Sequence, residues 1–336
     1  VGSAADDYVG FTHIPGGLLL ALSSHQVRSV VGKMIVFTLI LLAFMEVSLS
    51  FDNAVLNAKI LQGMSAKWQR RFLTWGIVIA VFGMRLVFPV LIVTIAASLP
   101  VIDVINMALN SPEEYGRHLE ESRINVSTFG GIFLLMVFLS FWFDNERETH
   151  WLHWIESRLS TLGLLKGVEI IVAGAVLVGI QYFIPTLQGR MTCLLSGLLG
   201  IGTYMLIEAF TGLFDTDGGC ENKRGLMGLL YLEVLDASCS LDGVIGAFAL
   251  TTNIVLIMIG LGMGAFVIRS LTLYLVRGGT LKEYIYLEHG AHYGIGALAV
   301  IMLANIFYPV PEPITGMIGL SCIALSLISS IRHRHV

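Results

Sequence analysis

Apolar positions along this chain come in continuous runs rather than in alternation. Nine stretches carry them, roughly 34–57, 72–98, 126–143, 167–184, 191–214, 227–250, 253–276, 290–308 and 314–331. Unbroken runs near twenty residues long predict membrane-spanning helices, not the alternating strands of an outer-membrane barrel. Pro and Gly punctuate the joins, at Pro100, Pro112, Pro185, Gly218-Gly219, Gly278-Gly279 and Pro309/Pro311/Pro313. The two longest joins, 99–125 and 144–166, carry charge and predict short amphipathic helices. The fold class expected is an all-α polytopic membrane protein with about nine transmembrane helices.

Composition agrees. Of the 336 residues, 55% are hydrophobic and 13% charged, against about 25% charged in a soluble domain. Mean hydropathy is +0.80. Disorder, collagen and secreted disulfide scaffolds are excluded. A net charge of −4 gives no electrostatic case for a nucleic-acid partner. Cys193, Cys220, Cys239 and Cys322 lack CxxC spacing, so neither a disulfide framework nor a zinc site is expected. Because residue 1 is Val, the natural start is expected to be missing or replaced. Residues 1–33 read as a tail, an interfacial segment or a vestigial anchor, with Gly16–Leu22 too short to span.

Positive charge sets the orientation. Thirteen of the 20 Lys and Arg fall in the joins after odd-numbered spans and in the C-terminal tail, five on the opposite side, and Arg85 and Arg269 inside spans. The positive-inside rule then predicts the segment before the first span outside and the C-terminus in the cytoplasm; the membrane expected is the plasma (inner) membrane.

Two segments echo each other. Glu46-Val-Ser48-Leu-Ser50-Phe-Asp52-Asn53 and Asp236-Ala-Ser238-Cys-Ser240-Leu-Asp242-Gly243 share the pattern acid-x-Ser-x-Ser-x-Asp at an offset of 190 residues. One span later, Phe82-Gly-Met-Arg85 resembles Phe266-Val-Ile-Arg269. Span parity puts the copies in opposite orientation, the layout of secondary transporters whose substrate sites lie near midplane. The organisation expected is an N-terminal segment 1–33, a first three-helix repeat 34–143, a connecting region 144–226 with spans 4 and 5, a second, inverted repeat 227–308, and a last span with its tail, 309–336.

A carboxylate at the bilayer centre costs roughly 2.5–3.5 kcal/mol. Glu46, Asp52, Asp236 and Asp242 therefore require protonation, a paired arginine or a bound cation. Glu46 and Asp52 are six residues apart, about 120° out of alignment on an ideal helix, and converge only if the helix breaks between them. Ser48, Ser50, Ser238, Ser240 and Gly243 permit such breaks in both halves. Glu46, Ser50, Asp52, Asn53, Asp236, Ser240 and Asp242 make an all-oxygen metal site, hard enough for Mn²⁺, Ca²⁺ or Mg²⁺. Cys239 alternates with the serines and is expected to point away. The alternative is helix-packing Ser and Asp with satisfied hydrogen bonds. Arg85 and Arg269 read either as counter-charge for the empty carboxylates or as structural pairs to helix carbonyls. Pro89 is expected to kink span 2.

A second polar cluster falls at the cytoplasmic end, with Asp144, Glu146, Glu148, His150 and His153 after span 3 and Glu288, His289 and His292 opening span 8. It reads as a relay or second metal site, or as a solvated collar. Glu208 on span 5 is a further buried acid.

The Ser-Phe-Asp-Asn core at 50–53, its echo at 236–242 and Leu287-Glu-His-Gly-Ala-His-Tyr293 resemble the TerC family of integral membrane proteins, in its longer branch, from about residue 34 to 308. The resemblance implies inverted helical repeats related to the LysE-type exporters, Mn²⁺ export, and an association with tellurite resistance. The family's acidic motif falls on Glu46, Asp52, Asn53, Asp236 and Asp242. Gly243 stands where Asn53 stands in the first copy, so the halves do not offer identical ligands.

The function expected is export of a divalent cation, with the bilayer and the ion as partners and a homodimer as an option. The alternatives are a non-transporting metal-binding scaffold in envelope or tellurite stress and an intramembrane metal-dependent enzyme. No HExxH or GxSxG signature supports an enzyme.

Overall fold

The computed structural model describes residues 25–145, 147, 149–163, 167–216 and 221–334. For 25–30, 96, 160–162, 211–216, 221–224, 241–242 and 282 it gives the backbone course alone. The described chain is helical. Its elements are α1 (His25–Leu49), α2 (Phe51–Gln62), α3 (Ala66–Val78), a π-helical segment (Ile79–Val87), α4 (Phe88–Ala97), α5 (Val101–Asn110), α6 (Pro112–Glu121) and α7 (Arg123–Trp142). There follow α8 (His153–Leu162), α9 (Val168–Phe183), α10 (Leu187–Thr216), α11 (Glu221–Ala247), α12 (Ile254–Gly278), α13 (Thr280–Glu283), α14 (Leu287–Ala304) and α15 (Glu312–Arg334).

Among the described residues six stretches are helical, long and apolar enough to cross a membrane: Val31–Leu49, Ala66–Ile95, Arg123–Trp142, Leu187–Phe210, Ile254–Gly278 and Glu312–Arg334. The other three apolar runs are also helical but depart from that pattern. α9 has 16 residues, about 24 Å at 1.5 Å per residue. α11 carries Glu233, Asp236 and Asp242, and α14 opens on Glu288, His289 and His292. The charged joins hold the short helices α5, α6 and α8.

Local signals set several boundaries. Asn253 caps α12, its side chain accepting from the N–H groups of Val255 (3.0 Å) and Leu256 (3.2 Å). Gly279, at φ 66°, ends the same helix in the left-handed conformation.

α7 is the hub. It is buried on most of its circumference and packs against α10, α11 and α14. Phe133, Met136, Leu177, Tyr204, Ile295 and Met302 belong to the apolar core around it. α1 lies along α12 and α15, and α2 lies along α12 and α14. A polar seam follows these contacts through the otherwise apolar interior.

Candidate functional site

The seam begins at a break in the first apolar run. α1 stops at Leu49 and α2 starts at Phe51, with Ser50 between them at φ −111°, ψ 12°. Ser50 donates its hydroxyl to Glu46 Oε1 (3.2 Å). Asp52 then lies in the first turn of α2, where a carboxylate suits the helix dipole. It accepts the N–H of Asn53 at 3.0 Å. Glu46, Asp52 and Asn53 are 2%, 3% and 0% exposed.

The second copy of the motif behaves differently. α11 runs unbroken through 236–242, and Ser238 donates its hydroxyl back to the Val234 carbonyl at 2.9 Å. The expected break occurs in one half only, although Ser48 in the first copy and Ser238 in the second each donate to a carbonyl of their own helix. Cys239 also departs from expectation. Its buried thiol points into the seam and donates to Asn53 Oδ1 at 3.5 Å. Glu46, Asp52 and Asp236 all act electrostatically on that one sulfur, and Asp236 also acts on Glu46. The seam therefore gathers acids from both copies of the motif. Ser240 is buried, with its hydroxyl unpartnered among the described residues, as is the Asn53 amide nitrogen. The side chain of Asp242 lies outside the described residues.

Each mid-span arginine meets an acid. Arg85 sits in the π-helical segment and donates to Glu46 Oε1 and to the Ala80 carbonyl. Pro89 accounts for the local helix, since it offers no N–H to the Arg85 carbonyl and its ring crowds that turn. Arg269 Nη2 reaches Glu233 Oε2 at 3.1 Å and Asp236 Oδ2 at 3.4 Å. Its guanidinium also lies over the Phe72 ring, 4.4 Å from the centroid. Glu233 escaped the sequence reading, although it stands three residues before Asp236 and shares its helix face. No Lys or Arg among the described residues pairs with Asp52.

The charges do not balance. Glu46, Asp52, Glu233 and Asp236 are buried against two buried arginines, Arg85 and Arg269. Among the described residues two carboxylates are left over. Yet no group of three or more His, Cys, Asp or Glu among the described residues stands close enough to hold a metal ion. The arginines occupy two of the acids that the oxygen cage would need.

Neighbouring helices approach these acids through glycines. A Cβ on Gly264 of α12 would stand 2.5 Å from Glu46 Cβ, and one on Gly294 of α14 would stand 3.0 Å from Asp52 Oδ2.

The second cluster centres on a residue that the sequence reading passed over. Glu156, fully buried, accepts from Arg147 Nη2 (3.1 Å), Tyr293 Oη (3.0 Å) and the N–H groups of Trp151 (3.1 Å) and Leu152 (3.3 Å). His289 Nε2 lies 3.5 Å from it and donates to the Thr149 carbonyl at 3.0 Å. His292 donates Nδ1 to the Glu288 carbonyl (2.9 Å) and stacks on Phe141 at 3.8 Å. Glu288 itself pairs with Lys59 at 2.6 Å. Asp144, Glu208 and His292 line a cavity of about 510 Å³ with Glu169, Tyr204 and Tyr231. Glu148, with Glu146, lies outside the described residues. So His289 joins the Glu156 network, Glu288 sits on Lys59, and Asp144, Glu208 and His292 face a common cavity.

No curated protein and no solved structure matches the chain. A family model, described as a protein of unknown function (DUF475), matches residues 51–336. The match takes in most of the seam and all of the second cluster, and the chain belongs to the DUF475 family.

Proposed function

We propose that this protein is a membrane transporter that exports a divalent cation through the seam formed by Glu46, Ser50, Asp52, Asn53, Asp236, Ser240 and Asp242. The fold behind the reading has nine spans, with two inverted three-helix repeats at 34–143 and 227–308 and the C-terminus in the cytoplasm. The observation that carries it is the charge imbalance. Four buried carboxylates face two buried arginines, and two unmatched negative charges in a low-dielectric interior call for a dication or two protons. The ligands on offer are oxygens, which suit a small hard ion. Mn²⁺ is the ion named because of the likeness to the TerC family.

The arginines make the reading one of transport rather than of permanent binding. A guanidinium stays charged at any physiological pH, so Arg85 and Arg269 offset two of the four acids whether or not the cation is bound. Two protons on the remaining acids, taken up as the dication leaves, then make the empty state tolerable, as a carrier that returns unloaded requires.

Reconstitution in liposomes tests this. Mn²⁺ flux should exceed that of protein-free vesicles, and Asp52→Asn and Asp242→Asn should each bring it down to that level. Equal flux in wild type and both variants would refute the site. Mn²⁺-dependent melting without flux would favour a metal-stabilised scaffold instead.

A further inference from the structure

Arg269 and Arg85 differ in what they can do when a cation arrives. Arg85 holds one carboxylate, Glu46, and the Ala80 carbonyl. Arg269 holds two carboxylates through one nitrogen: Nη2 donates to Glu233 at 3.1 Å and to Asp236 at 3.4 Å. Its Nη1 makes only a long contact, 3.4 Å, to the Phe72 carbonyl. The second oxygen of Glu233, Oε1, is buried and has no hydrogen-bond partner among the described residues.

These two under-used atoms lie over the same spot. A Cβ on Gly76 would stand 2.3 Å from Arg269 Nη1 and 2.9 Å from Glu233 Oε1. The glycine's missing side chain is the room that these two atoms share above α3, where a small swing of the guanidinium would bring Nη1 onto Oε1. The pair would then be a two-bond fork between Arg269 and Glu233, the strongest geometry open to this ion pair. Asp236 would be left without its arginine.

We propose that Glu233 is a parking partner for Arg269, a positioning residue that takes the guanidinium when Asp236 takes the cation. The inference rests on the transport reading above and adds to it how the second acid is freed. A buried guanidinium cannot lose its proton and cannot be stranded without a large penalty. A divalent cation approaching Asp236 must therefore displace Arg269 or repel it. Glu233, one turn away on the same helix, gives the displaced charge a place to go. Among the described residues no second carboxylate attends Arg85, so none of them gives Glu46 such relief. The two halves of the seam are thus unequal, with Asp236 the acid that is released and Glu46 the acid that stays paired.

The test measures equilibrium Mn²⁺ binding by full-length purified protein, with Mn²⁺ flux KM and maximal rate in liposomes alongside. Glu233→Gln keeps the shape and removes the charge, so Arg269 falls onto Asp236. Affinity should drop about tenfold or more, the scale of one charge-assisted hydrogen bond, and KM should rise while the maximal rate holds. Glu233→Asp, which keeps the carboxylate, should stay within about threefold of wild type. Adding Arg269→Gln to Glu233→Gln should recover affinity, because the competitor for Asp236 is gone. A merely structural role predicts the opposite, a double variant worse than either single one. Gly76→Ala is a second probe if Glu233→Gln does not fold: its methyl would stand in the room that Nη1 and Oε1 share over α3, block the two-bond fork and leave Arg269 on Asp236, again weakening Mn²⁺.

Wild-type binding with unchanged affinity in Glu233→Gln, or in Gly76→Ala where Glu233→Gln does not fold, overturns this inference and leaves the transport reading standing. A double variant no tighter than Glu233→Gln overturns it too. Absence of Mn²⁺ binding by the wild type overturns both.

Discussion

Arg85 and Glu46 meet inside the molecule with side chains 0% and 2% exposed, one from the π-helical segment and the other from the last turn of α1. Removing one partner strands the other in a low-dielectric interior, at a cost of about 3–5 kcal/mol. Removing both leaves a neutral pair that can pack. Glu46→Gln and Arg85→Gln should each lower the melting temperature in detergent clearly. The double variant should be more stable than the sum of the two losses by at least about 1 kcal/mol. Strict additivity would mean that the contact contributes nothing of its own.

Glu156 is the acid with the most donors in the described structure, and its four partners tie the 144–166 join to Tyr293 on α14. Glu156→Ala leaves Arg147 without its carboxylate and two backbone N–H groups without an acceptor. A loss of about 3–5 kcal/mol is expected, read as a lower melting temperature and as faster proteolysis within 144–166. Tyr293→Phe removes one neutral donor and should cost about 1 kcal/mol. If Glu156→Ala melts like wild type, the join is held by something else.

The two glutamates that the sequence reading passed over show what a single sequence can and cannot display. Glu46, Asp236, Arg85 and Arg269 announce themselves because a charge inside an apolar run has no ordinary explanation, and the echo doubles the signal. Glu233 lies in the same run but outside the repeated pattern, so nothing marks it until Arg269, 36 residues on, is seen to reach it. Glu156 sits in a polar join, where an acid is expected to be solvated. Its burial comes from the tertiary docking of that join on α14, which periodicity does not encode. The break at Ser50 and the continuity of α11 are equally hidden, since both copies carry the same two serines and only their packing differs.

The glycines divide into those that hold two helices together and those that face open space. At Gly264 a methyl would meet Glu46 Cβ at 2.5 Å and the Ala43 carbonyl at 2.8 Å. The backbone there cannot yield cheaply, so Gly264→Ala should destabilise by about 1–3 kcal/mol and separate α1 from α12. At Gly179, inside α9, nothing lies within 4 Å. Gly179→Ala should be neutral or stabilise by up to about 1 kcal/mol through helix propensity alone. Melting temperatures of the two variants, compared in one detergent, should fall on opposite sides of wild type or leave Gly179→Ala level with it. Equal losses would show that the α1–α12 approach is not close.

Tyr115, on α6, offers a prediction with a pH signature. Its side chain is 1% exposed, its ring packs 5.9 Å from that of Phe248, and its hydroxyl has no partner among the described residues. An unsatisfied buried hydroxyl costs about 1–3 kcal/mol, so Tyr115→Phe should be neutral or stabilising by about 1 kcal/mol once lost contacts are subtracted. Burial also pushes the phenol well above its ordinary range. The unfolded chain then releases this proton near pH 10 while the folded chain keeps it. Stability supplied by the neutral phenol is fully present below that pH and falls as pH rises through it, by up to about 1.4 kcal/mol per pH unit. Tyr115→Phe has no proton to lose there. The gap in melting temperature between the variant and wild type should therefore widen above about pH 10, and a gap that stays constant would place the hydroxyl in contact with water.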